Sequence, residues 1–141
     1  MSLLTYVVDT NIVVAGLITR SPESPVVRVL DSMLTGELLF YLSPDLLDEY
    51  RTVLLRPKLM SRHGLSESEI DLLLVDIAAN ALWVEPADGP AAPDRGDDHL
   101  WSLLSLQPGT ALITGDHLLL ADATAEFLVL TADAWLRREN G

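Results

Sequence analysis

At 141 residues the chain is long enough to bury one sizeable core and too short for two ordinary domains, so a single domain over residues 1–141 is expected. Apolar residues make up 49% of it but are interrupted every few positions, so it lacks the run of ~18 apolar residues that a membrane span requires. The absence of cysteine excludes disulfide frameworks and thiolate metal sites, and a net charge of −12 argues against a broad phosphate-binding surface.

The charge is unevenly spread. Residues 1–62 hold six basic groups against seven acids, whereas residues 63–141 hold three against fourteen. A local basic edge is therefore compatible with an acidic remainder, part of which a bound cation would neutralise. The opening Met-Ser-Leu-Leu-Thr-Tyr has no basic region ahead of its apolar run, so an export signal is not expected and the cytoplasm is the expected compartment.

In chain order, residues 3–8 form a β-branched and aromatic run that stops at Asp9-Thr10-Asn11, the pattern of a buried strand meeting a loop. A helix is expected over 24–35, with Pro25 in its first turn and Gly36 closing it. Residues 38–42 read as a second strand, after which Ser43 is placed to cap a helix that begins with Pro44 and ends before Pro57. Ser66 and Glu69 have capping-box spacing and open another helix, with Ile70, Leu73, Leu74 and Ile77 on one face. A short strand at 82–85 precedes a stretch rich in Pro, Ala, Gly and Asp over 86–96, read as a mobile loop. A helix should start near Asp97 and run through Leu104 until Pro108 stops it. Strands at 111–114 and 127–130 and a last helix at 132–137 complete the series. Strands alternating with helices predict an α/β fold with a parallel sheet of about five strands.

In such a sheet ligands bind beyond the carboxyl ends of the strands. Asp9 follows the first strand directly, and Asp116 follows the fourth after one glycine, so both should project over the same rim. Glu49 lies in the helix leaving the second strand, and Asp98 in the first turn of the helix that leads to the fourth. Each acid alone has an ordinary role in a turn, a cap or a solvated helix face. Together they have a further consequence. Two carboxylates about 4 Å apart repel by about 4 kcal/mol at an effective dielectric of ~20, so four in one cleft require a cation or protons. Oxygen donors without Cys or a paired-His spacing favour Mg2+ or Mn2+; His99 and His117 adjoin candidate acids but are not expected to ligate. Such a site suits phosphodiester hydrolysis.

Four segments resemble the motifs of the PIN-domain family: Val-Val-Asp-Thr-Asn-Ile around Asp9, Ser-Pro-Asp-Leu-Leu-Asp-Glu-Tyr ending at Tyr50, residues 94–100 around Asp98, and Leu-Ile-Thr-Gly-Asp ending at Asp116. Their order and spacing cover nearly the whole chain. Residues 49–58 further resemble a bacterial branch described as toxin components of toxin-antitoxin pairs. The resemblance implies a three-layer α/β/α fold and a Mg2+- or Mn2+-dependent ribonuclease, with RNA as substrate and an antitoxin and a second copy of the chain as partners. By matching positions, Asp9, Glu49, Asp98 and Asp116 take the catalytic and metal-site roles, with Asp97 as the substitute for Asp98 should the register shift by one. Thr10, Asn11, Ser43 and Thr114 would be supporting polar residues, although capping explains Ser43 equally well. Arg51, Arg56, Lys58 and Arg62, which follow Glu49 along its helix and exit, are expected to guide RNA phosphates; a solvated helix face is the alternative. The chain departs from the family pattern at Leu118 and Gly96, where related sequences often carry acids, which implies a leaner metal site.

Two other functions compete. A PIN-like module that binds RNA or protein without cutting fits the missing acid at Leu118. A phosphotransferase using Asp9 as nucleophile fits less well, because the expected second Asp is Asn11 and no glycine-rich phosphate loop is present.

Overall fold

The computed structural model describes residues 4–85, 100, 103–104, 109–116, 120 and 128–140. Strand β1 (Thr5–Val8) buries Tyr6, Val7 and Val8, as a strand covered on both faces must. It pairs in parallel with β4 (Thr110–Ile113), Thr5 opposite Thr110 and Val8 opposite Ile113, and β4 pairs in parallel with β5 (Leu128–Leu130). On the other side, β2 (Tyr41–Leu42) pairs with β3 (Leu82–Trp83). A parallel bridge between Tyr6 and Phe40, with the Tyr6 N–H donating to the Leu39 carbonyl at 2.9 Å, joins this pair to β1. The strands therefore follow the order β3-β2-β1-β4-β5, and the direction of winding reverses between β1 and β4. The result is the expected three-layer α/β/α architecture around a parallel sheet. β2 is shorter than its apolar run suggested, because residues 38–40 enter the sheet through that single bridge.

Six helices are described over their whole length: α1 (Thr10–Ile18), α2 (Pro25–Thr35), α3 (Pro44–Leu54), α4 (Pro57–His63), α5 (Glu67–Asn80) and α6 (Ala132–Asn140). Helix α2 ends at Gly36, whose φ of 82° is the left-handed conformation that favours glycine. Ser43 caps α3 by accepting from the Leu46 N–H at 3.1 Å, and Leu46, Tyr50 and Leu54 form its buried stripe. The capping box of α5 is complete, with Ser66 and Glu69 each accepting from the other's N–H. Of its expected apolar face, Ile70, Leu74 and Ile77 are buried and Leu73 is partly so. Leu100, Leu103 and Leu104 are helical or buried as expected, whereas 86–99 lies outside the described residues. Helix α6 runs on to Asn140, past the expected end at Arg137, and the Tyr6 hydroxyl donates to Glu139 Oε1 at 3.1 Å, tying it to β1.

Two helices correct the sequence reading. Asp9-Thr10-Asn11 is the start of α1, not a loop; its residues are apolar on nearly every side, so no periodicity announces it. Pro57 opens α4 as well as following α3, in the first helical position where its missing N–H does no harm.

Helices α1 and α2 pack closely at Gly16, where an added Cβ would lie 2.9 Å from the Val26 carbonyl oxygen and 3.0 Å from Leu30 Cβ. Gly16→Ala should therefore destabilise the fold by about 1–3 kcal/mol in chemical denaturation, despite alanine's better helix propensity. A stabilised variant would show that the two helices do not touch there.

Candidate metal centre

The reversal of winding leaves a crevice outside the carboxyl ends of β1 and β4. Asp9 stands on one side of it and Asp116 on the other. Asp9 is 7% exposed, and its backbone is held twice: its own N–H donates to the Ile113 carbonyl at 2.9 Å, and the preceding carbonyl, of Val8, accepts from the buried Tyr50 hydroxyl. Tyr50 belongs to the stripe that docks α3, so the contact that seats α3 also fixes the end of β1.

The side-chain network is specific. Asp9 Oδ1 accepts from the Thr10 N–H at 2.8 Å, and Asp9 Oδ2 accepts from Asn11 Nδ2 at 3.0 Å and from the Thr114 hydroxyl at 2.7 Å. Thr114 Oγ1 in turn accepts from the Asp116 N–H at 3.0 Å and from Asn11 Nδ2 at 3.3 Å. Asn11 Oδ1 takes the Gly115 N–H at 3.0 Å. The Thr114 hydroxyl therefore has one proton, directed at Asp9, and two lone pairs occupied by groups on either strand end. Across the cleft, the Thr10 hydroxyl donates to Glu49 Oε2, which sets the third carboxylate against α1.

Asp9, Glu49 and Asp116 line a cleft of about 490 Å3. Its far wall is aliphatic, formed by Val14 and Ile18 of α1, Val53 of α3 and Leu59 of α4, and Arg62 of α4 supplies a cation. Burial pushes the Asp9 carboxyl above the usual carboxylate range; the hydrogen bonds from Thr114 and Thr10 oppose this, and repulsion from Glu49 and Asp116 adds to it. That two further acids raise the Asp9 carboxyl is what carboxylates gathered in one cleft produce. Their hard oxygen donors fit Mg2+ or Mn2+. Among the described residues, however, no group of three or more His, Cys, Asp or Glu side chains is arranged so that it could hold a metal ion.

Of the other residues singled out in the sequence, Thr10, Asn11 and Thr114 sit within the network. Ser43 is the α3 cap and does not line the cleft. Asp97, Asp98, His99 and His117 lie outside the described residues. The four basic residues do not share one helix: Arg51 lies on α3, Arg56 caps α4, and Lys58 and Arg62 are within α4. Arg51 pairs with Asp71 and Glu67 of α5, both at 2.9 Å. Arg56 and Lys58 are exposed away from the cleft, leaving Arg62 as the member that lines it. Sequence reasoning missed Tyr50 and the aliphatic wall. The spacing of Leu46, Tyr50 and Leu54 marks Tyr50 as inward-facing, but nothing local shows that its hydroxyl reaches Val8.

A carboxyl whose folded pKa is raised favours folding in its protonated form. The Asp9 contribution to stability is then fully present below its unfolded pKa and is lost as pH rises through the folded one. In metal-free protein, the stability difference between wild type and Asp9→Ala should narrow in thermal denaturation as pH rises above the ordinary carboxylate range. A difference that widens as pH rises would refute the picture of a buried, unneutralised carboxylate.

A family model for the PIN domain matches residues 5–118, from the start of β1 to just beyond Asp116. Neither a curated protein nor a solved structure matches the chain significantly. PIN domains are generally metal-dependent nucleases, and in this sheet the acids of the first and last matched segments flank one crevice. The chain belongs to the PIN-domain family.

Proposed function

We propose that the chain is a Mg2+- or Mn2+-dependent endoribonuclease that hydrolyses RNA phosphodiester bonds and serves as the toxin component of a toxin-antitoxin pair. The observation that carries this reading is the convergence of Asp9, Glu49 and Asp116 on one cleft at the switch point of the sheet. These three carboxylates would hold the cation, with Asp98 as a fourth by its motif, or Asp97 in its place. When bound, the cation supplies neutralising charge and an activated water for hydrolysis. Thr10 orients Glu49 against α1, while Thr114 and Asn11 direct the Asp9 carboxylate and keep both strand ends in register. Arg62 attracts RNA phosphate into a cleft that is otherwise acidic, with Arg56 and Lys58 acting at longer range. The acidic bulk suits a basic antitoxin segment, and a second copy of the chain is a further candidate partner. The cytoplasm is the proposed compartment; no described helix is long and apolar enough to cross a membrane.

A second reading is a PIN module that binds RNA or protein without cutting it. The departure from the family pattern at Leu118, where related sequences often carry an acid, favours it. Cleavage assays separate the two. With Mn2+ and a labelled RNA, Asp9→Asn, Glu49→Gln and Asp116→Asn should each lose activity on the order of 100-fold or more while still binding the RNA. Equal cleavage by wild type and all three variants would assign the activity to a contaminant and favour the silent module.

Mn2+ should also stabilise the wild type, by about 2.7 kcal/mol at a hundredfold excess over Kd, and less as pH falls because protons compete for Asp9. No thermal shift with Mn2+ at any pH would remove the metal site. For RNA binding, Arg62→Ala should lower the slope of log K against log salt by about 0.7, whereas Arg51→Ala should change it little because Arg51 is already paired. An unchanged slope in Arg62→Ala would take that residue off the RNA path.

A further inference from the structure

Helix α4 forms one wall of the cleft, through Leu59 and Arg62, yet it buries none of its own residues fully. Its N-cap, Arg56, makes no side-chain capping bond. Met60 packs partly buried against the core, and polar contacts add to that apolar anchor. The strongest polar tie is at its last residue, His63, whose Nε2 lies 2.9 Å from the Leu54 carbonyl and whose Nδ1 lies 3.0 Å from the Leu65 N–H. The Leu54 carbonyl belongs to the last turn of α3, where carbonyls lack an intrahelical partner. A carbonyl only accepts and an N–H only donates, so both contacts form together in one state alone: the neutral ring with its proton on Nε2. Gly64, at φ 73°, turns the chain so that Leu65 comes back onto the ring.

We propose that His63 is a positioning residue: by stitching the end of α3 and the start of the α5 connection to the end of α4, it holds Arg62 at the cleft for the RNA phosphate. This rests on the ribonuclease reading given above. His63 touches neither the acids nor the substrate path, so its effect passes through the adjacent Arg62. The geometry also distinguishes two conservative variants. Asparagine places an oxygen near Nδ1 and keeps an acceptor for Leu65, whereas alanine removes both bonds.

The test uses the whole chain, Mn2+ and a labelled single-stranded RNA. In nitrogen-15 spectra the neutral form of the wild-type His63 ring should carry its proton on Nε2; the Nδ1-protonated tautomer would overturn the clamp. His63→Ala should speed amide exchange across α4 while leaving exchange in β1 and β4 slow, and His63→Asn should recover part of the protection. Unchanged α4 exchange in His63→Ala would also overturn it. In cleavage assays the loss in His63→Ala should fall on KM, by roughly 5-fold, the equivalent of one lost hydrogen bond. Arg62→Ala, an exposed change that spares folding, should match it, and the double variant should lose no more than either alone. Additive losses would show that His63 does not act through Arg62. Were the wild type itself to cleave nothing while the tautomer and exchange results held, the ribonuclease reading would fail and the clamp would stand as a structural feature only.

Discussion

A single hydroxyl, that of Thr114, holds together the two strand ends on which the candidate site depends. It is fully buried, gives its proton to Asp9, and accepts the Asp116 N–H and an Asn11 amide hydrogen. Because a buried hydroxyl with one proton and two filled lone pairs has no alternative arrangement, it fixes the relative positions of the acids that follow β1 and β4. Parallel pairing alone would align the strands but would not specify where the residues that follow them place their carboxylates. Asn11 completes the lock by reaching Asp9, Thr114 and the Gly115 N–H.

Asp9 carries several structural duties at once. It caps α1, receives three hydrogen bonds and stands buried beside two other acids. The donors around it stabilise its charged form, while burial and its neighbours oppose that form, with burial the larger effect. A divalent cation, were one to bind as proposed, would relieve this conflict by adding positive charge. Tyr50 fits the same logic, since its hydroxyl, held neutral by burial and by the nearby Asp9 and Glu49, secures the backbone without adding charge.

Much of the fold was legible because its elements carry local punctuation. Pro25, Gly36, Ser43-Pro44 and the Ser66/Glu69 pair mark helix ends by mechanisms that act within a few residues, and the structure places helix ends at each. Helix α1 was illegible because a helix apolar on nearly every side leaves no amphipathic period, and Asp9-Thr10-Asn11 suits a turn as well as a helix start. Within the site, the order of the acids pointed to Asp9, Glu49 and Asp116, because strand ends in a parallel sheet share one rim. The division of the basic residues was not legible. A proline ends one helix or starts the next by the same lack of an N–H, and only tertiary packing turned Arg62 to the cleft while Arg51 met Asp71 and Glu67.

The pairing of Thr5 with Thr110 also bears on how the chain is made. During synthesis β1 leaves the ribosome long before β4 exists, so β1 waits with one edge unpaired while α1, α2 and α3 gather on it. Asp9 and Glu49 can meet at that stage, but Asp116 and the Thr114 hydroxyl that aligns it arrive only with β4. In a nascent chain, therefore, Asp9 and Glu49 stand without Asp116 until most of the length has been translated, and the three acids share one cleft only once β4 has paired with β1.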